Sequence, residues 1–208
     1  MSKTEKRWEK SQHRENEYYQ KNRDAAWGIP YSLDYWLNFL ALKDLPDKVL
    51  EVGCGPNGLW RFTDKVMGLD PIDFSGLGDN FIQGQCECIP AEPDAYDMVI
   101  CINALDHMKD PCNAMREMMR VSRRVILWTN VYSPLTRWII TLLDEHPHHF
   151  TMTDIENLIK PGAVDHSIRV SFSRSHLKYT HNGALRLKLR LAEALGMHGQ
   201  LYHIRRKT

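Results

Sequence analysis

The segment Val49-Leu-Glu-Val-Gly-Cys-Gly-Pro-Asn-Gly58 constrains the fold more than any other stretch. An apolar strand runs straight into glycines at 53, 55 and 58. Glycine lets the chain turn sharply and lets a ligand approach the backbone closely. The spacing is GxGxxG, the turn that opens a nucleotide-type pocket at the end of a strand in an α/β sheet. By itself it serves a nicotinamide dinucleotide as well. Glu51 argues otherwise. Two residues before the first glycine, its carboxylate sits under the turn, where it repels a pyrophosphate and favours an ammonium or sulfonium. Pro56-Asn57 also makes a looser turn than the usual tight helix entrance.

The strand-then-turn pattern repeats along the chain. Strands are predicted at Lys48–Val52, Val66–Leu69 (ending in Asp70), Phe81–Ile82, Tyr96–Ile102, Val125–Trp128, Ser167–Phe172 and Leu201–Arg206. Residues 32–43 carry helical spacing behind a Ser32 cap, and Asp110-Pro111 starts a helix running to about Val121. Residues 184–191 alternate, yet consist of strong helix formers that run on to Gly196, so a helix is expected there. Strands alternating with helices predict a parallel sheet with helices on both faces. Residues 4–23 are highly charged, with few apolar positions apart from Trp8, Tyr18 and Tyr19, and Trp27-Gly-Ile-Pro30 punctuates their end. This divides the chain into a helical arm or lid, residues 1–30, and a main domain, residues 31–208.

The chain has 208 residues, 43% of them apolar, which suits one domain with a real core. No apolar run reaches the ~18 residues of a membrane helix. The opening MSKTEKRWEK has no apolar signal region, so a cytoplasmic protein is expected. The five cysteines lie between Cys54 and Cys112 without a CxxC pair, which favours buried thiols over disulfides or zinc. The net charge is +1, but residues 1–23 carry +3, residues 24–166 carry −10 and residues 167–208 carry +8. A basic tail can meet an anionic substrate or a nucleic acid; the simpler reading is that it balances the acidic middle.

Asp70 stands at the end of the second strand, where a carboxylate can accept both hydroxyls of a ribose. With it the order VLEVGCGPNG, GLDPI, GQCECIP, YDMVICINALDHMKDP and HPHHFTMTDIENLI is complete, and over roughly residues 45–160 it resembles the type 11 group of class I methyltransferases. The resemblance implies a three-layer, Rossmann-like α/β fold with a seven-stranded, mostly parallel sheet whose last strand is antiparallel. It implies S-adenosylmethionine as methyl donor. By the same likeness Glu51, Gly53, Cys54 and Gly55 hold the amino-acid end of the cofactor, Asp70 binds the ribose, and Pro71 and Ile72 flank the adenine. Gln85, Cys86 and Glu87 stand where the group has Asp-Ala-Glu, so an amide replaces the acid at the adenine amino group and can still accept its hydrogen bond. Cys101, Ile102 and Asn103 fall beside the donor methyl, and His107 matches a recurrent histidine, one residue closer to Leu105 than usual.

Methyl transfer from a sulfonium needs positioning, exclusion of water and sometimes a base. The residues expected in that role are His107 first and His149 second, the latter from the His146-Pro-His-His149 cluster. No companion ligand pair has zinc spacing, so no metal is expected. The residues Ile102-Asn-Ala-Leu105 are not the Pro-Pro-aromatic motif of adenine-N6 or glutamine enzymes. Met115, Met118 and Met119 read as core; Trp27, Tyr31 and Trp36 cover the acceptor or pack helices on the sheet. The expectation is therefore methyl transfer to a small anionic, lipid or sugar-like acceptor, at oxygen. The rivals are a nucleic-acid methyltransferase using the basic tail, a non-catalytic cofactor-binding protein and a nicotinamide oxidoreductase. The oligomeric state is not encoded in any recognisable pattern.

Overall fold

Val49, Leu50, Glu51 and Val52 are all buried, as a strand covered on both faces requires. They form β1 (Val49–Val52), near the middle of a seven-stranded sheet. The computed structural model describes residues 3–21, 32–143, 146–160, 162–170, 190–191 and 193–207. Within them β2 (Val66–Asp70), β3 (Phe81–Gln83), β4 (Met98–Ile102), β5 (Arg124–Val131), β6 (Gly162–Val170) and β7 (His198–Arg206) complete the sheet in the order β3-β2-β1-β4-β5-β7-β6. The first five strands pair in parallel. β7 is antiparallel to both β5 and β6. This is the expected topology. The order reverses between β1 and β4, and at such a switch point the strand ends splay apart into a crevice.

Alternate residues of β1 feed two cores. On one face Leu50, Val52, Val99 and Leu127 pack against α3 (Pro111–Val121) and α5 (Met152–Ile159), with Met115, Met118 and Met119 in the middle as expected. On the other face Val49, Met98, Ile126 and Trp128 meet Trp36 and Leu40, at the end of α2 (Leu33–Phe39). Trp36 is thus a core residue; Trp27 and Tyr31 lie outside the described residues. α2 is shorter than predicted, because Ala41 takes a positive φ of 54° just beyond its cap. α3 starts as predicted, with Asp110 accepting the Asn113 N–H. β3, β5 and β7 run past their predicted spans and β6 starts five residues earlier, since ladder bonds continue past the apolar centre of each, whereas β1 and β4 begin one and two residues later than predicted. Most of the helix predicted at 184–191, and the last two residues of the strand predicted at 167–172, fall outside the described residues.

The expected helices are missing from the first three crossovers. Only 3₁₀ turns stand there, at Leu59–Arg61, Ser75–Leu77 and Cys86–Cys88. Trp60, 2% exposed, and Phe74, 4% exposed, supply the cover that helices would otherwise give. Gly68 makes room for this, because a Cβ there would come 2.8 Å from the Trp60 ring. α1 (Lys3–Lys21) belongs to neither layer, and α4 (Pro134–Leu143) follows β5. Among the described residues no helix is long and apolar enough to cross a membrane.

Candidate cofactor and acceptor site

The cavity of interest opens over the C-terminal ends of β1, β2 and β4 and has a volume of about 520 Å³. Its floor begins at the glycine turn. Gly53 and Gly55 have positive φ, 61° and 54°, the region only glycine enters freely. A Cβ on Gly53 would stand 2.3 Å from that of Ala104, so the turn lies directly against the end of β4. Its shape is held from β2: Asp70 Oδ2 accepts the Gly55 N–H at 3.0 Å and Oδ1 accepts the Ile72 N–H at 2.9 Å. Each Asp70 oxygen keeps a lone pair for a further donor. Burial pushes the Asp70 carboxyl up to about 6, against the pull of those two amides.

Glu51 lies below the turn, 2% exposed, and does not line the cavity. Its Oε2 accepts the Trp60 N–H at 3.0 Å and would sit 2.6 Å from a Cβ on Gly58. Burial lifts its carboxyl to about 7, with the Trp60 and Leu59 amides opposing and the Asp70 charge adding to the rise. Its charge therefore acts through the turn and not by contact.

Nine of the expected residues line the cavity together: Gly53, Gly55, Asp70, Pro71, Gln85, Cys86, Glu87, Asn103 and His107. The side chain of Glu87 is committed locally, accepting the Lys109 and Asp110 amides at 2.7 and 3.0 Å. Asn103 adopts a positive φ of 50°, which Asn tolerates better than most residues, and its Oδ1 accepts from Asn130 Nδ2 at 2.9 Å. Cys54, Ile72, Cys101 and Ile102 stand behind this lining, Cys54 and Cys101 as buried thiols pushed upward by desolvation. The free, mostly buried cysteines match the reduced-thiol reading, although Cys88 and Cys112 are exposed.

The histidines separate. His107 and His146 line the cavity, with ring centroids 4.4 Å apart and planes at 88°. His149 does not line it; 7% exposed, it packs near Tyr132 and His146 on a neighbouring depression. His148 stacks on Phe150, and burial lowers its pKa.

The expected site residues included none from the arm at residues 1–30, although a lid was expected there. Seven residues of α1, including Trp8, Ser11, Glu15 and Tyr19, line the same cavity. Glu15 Oε1 makes a short hydrogen bond to Nδ1 of His107. A carboxylate at Nδ1 holds the ring proton there and leaves the lone pair on Nε2. Glu5 pairs with Lys109 at 2.9 Å, and Arg7 donates to the Thr141 carbonyl at 2.9 Å. A polar helix surface offers no pattern that points to one pocket, so nothing in the sequence marked Glu15.

Residues 50–125 match a family described as a methyltransferase domain. No curated protein sequence matches the chain. Solved structures share its fold. A geranyl diphosphate C-methyltransferase from Streptomyces coelicolor A3(2), solved with Mg2+, geranyl diphosphate and S-adenosyl-L-homocysteine, is 12% identical with a TM-score of 0.64, over 84% of this chain and 76% of its own. A geranyl diphosphate methyltransferase in complex with GPP and sinefungin is 14% identical with a TM-score of 0.65, over 84% and 77%. The YcgJ protein of Bacillus subtilis is 14% identical with a TM-score of 0.58, over 85% and 98%.

Proposed function

We propose that this chain, whose residues 50–125 match a methyltransferase domain and whose fold is shared by solved methyltransferases, transfers a methyl group from S-adenosylmethionine to an oxygen of a small anionic acceptor. One observation carries this reading. The Gly53–Gly55 turn, Asp70 and the Asn103–His107 segment share a single cavity, roofed by α1. Cofactor and acceptor then lie side by side, which in-line displacement requires. The cofactor ribose rests on Asp70, its amino-acid end on the glycine turn above Glu51, and its adenine between Pro71 and the Gln85–Glu87 segment. The donor methyl points toward Asn103 and His107. Structural neighbours solved with S-adenosyl-L-homocysteine or sinefungin support the cofactor choice.

A cavity of about 520 Å³ falls in the range of small-molecule sites and suits a cofactor with a compact acceptor. Arg14 of α1 lines it and provides for an anionic group. Arg169 is exposed on β6, while Arg174 and Lys178 lie outside the described residues. Arg205 and Arg206 pair with Asp165 and Asp94, at 2.6 and 2.7 Å, which favours internal charge balance over a nucleic-acid surface. α1 acts as the lid that excludes water, the role expected of residues 1–30.

Calorimetric titration with S-adenosylhomocysteine tests the reading. Saturable binding is expected. Asp70→Ala removes two charge-assisted bonds to the ribose and loosens the Gly55 turn, so affinity should fall by roughly 30- to 1000-fold, about 2–4 kcal/mol. Tight NAD binding with no response to S-adenosylhomocysteine overturns the proposal.

A further inference from the structure

Asp106 is 3% exposed, and its Oδ1 has no hydrogen-bond partner. A buried carboxylate oxygen without a donor is costly, and native structures supply such an atom with water, a proton or an ion. Two imidazoles stand beside it. His107 Nε2 lies 3.9 Å from Oδ1, and His146 packs edge-on against His107. One ligand atom from each of Asp106, His107 and His146 falls within 4.8 Å of the other two. Ligands bonded to one ion at ~2.0–2.2 Å are at most ~4.3 Å apart, so small side-chain rotations close the set. Glu15 completes the arrangement. A carboxylate on the far nitrogen of an imidazole fixes the tautomer that ligates and strengthens it as a donor.

We propose that Asp106, His107 and His146 bind one divalent first-row transition-metal ion at the acceptor end of the cavity, with Glu15 orienting His107. Two imidazoles and one carboxylate suit Zn2+, Co2+, Fe2+ or Mn2+ and exclude the all-oxygen preference of Ca2+. Three protein ligands leave positions open for the acceptor. The mechanism rests on the methyl-transfer reading above; the ion site itself does not. His107 is then a ligand, and the ion takes over the activation expected of a histidine base. An acceptor hydroxyl bound to the ion loses its proton to water near neutral pH. The oxygen's electron pair forms the O–C bond while the C–S pair returns to sulfur, and the sulfonium becomes a neutral thioether. The search for closely spaced ligands missed this set because the turn after β4 and the segment before α5 meet only in the fold.

The test uses the full chain, free of any tag and stripped of metal, titrated with Co2+ by calorimetry and visible absorption. One ion per chain is expected, with the intense bands of a low-symmetry site. His146→Ala and the isosteric Asp106→Asn should each weaken binding by on the order of 100-fold, and Glu15→Gln by about 10–100-fold. Thermal melts of the variants without metal confirm that each still folds. Absence of saturable Co2+ binding in the parent overturns the proposal, as does unchanged affinity in both ligand variants. S-adenosylhomocysteine is titrated into the same sample. Cofactor binding without Co2+ binding rejects the ion and keeps the methyl-transfer reading; the reverse result rejects that reading and keeps the ion.

Discussion

Glu51 shows what one residue can do from beneath a site. Desolvation raises its carboxyl to about 7 and that of Asp70 to about 6, well above the ordinary values of 4.5 and 3.8. Each folded-state pKa exceeds its unfolded value, so the folded chain binds these protons more tightly. The stability they contribute is complete below about pH 4 and is lost as pH rises through 6 and 7. For Glu51 the loss is on the order of 3 kcal/mol. Desolvation lowers His198 and His203, which act in the opposite sense. Comparison at each pH with Glu51→Gln cancels their effect. The amide can still accept the Trp60 N–H, so the cofactor-free variant should unfold at higher urea than the parent at pH 8 and at a similar concentration at pH 5. Equal midpoints at pH 8 would contradict the buried, proton-binding carboxyl.

At the scale of elements, α1, the proposed lid, and the sheet obey different physics. The strands around the cavity are fixed by ladders and by apolar cores on both faces. α1 is docked by a few polar contacts, Glu5 to Lys109, Arg7 to a carbonyl and Glu15 to His107, and by the Tyr19 ring edge-on to Phe74. Partly exposed ion pairs are worth roughly 0–1 kcal/mol each. Such a helix can leave and return without disturbing the fold, as substrate exchange requires. Removal of residues 1–21 should therefore change S-adenosylhomocysteine affinity by less than about tenfold. It should cut methyl transfer by ~100-fold or more, because water enters and Glu15 is lost. The two constants, measured side by side, check this; full turnover in the truncated chain rejects the lid.

Across the whole molecule, the charge asymmetry resolves into tertiary bonds. Arg206, at the end of β7, donates to the Met119 and Arg120 carbonyls and to Asp94, tying the last strand to the end of α3. Arg205 reaches Asp165 on β6. Arg206→Ala removes the bonds to two carbonyls and to Asp94, which keeps Arg123, and should lower unfolding free energy by roughly 1–3 kcal/mol in urea titrations. Because two of the three acceptors are neutral carbonyls, most of the loss should persist in high salt. A loss that vanishes in salt would reduce Arg206 to a surface ion pair.

The sequence by itself determined the sheet and the glycine turn with its neighbouring acid. Strand interiors reveal themselves by apolar runs, the turn by glycines at 53 and 55 that take positive φ, and the acid that anchors the turn by its place at a strand end. These are local signals, readable within a few residues. Only the tertiary structure decided the rest. It replaced three crossover helices by turns under Trp60 and Phe74, since an aromatic ring can cover a strand where a helix pattern is absent. It placed His146 in the cavity and His149 outside it, although a single short segment carries both. It also brought Glu15, from the far end of the chain, onto His107. A hydrogen bond between distant residues leaves no period or spacing in the sequence, because the packing of whole elements sets its geometry.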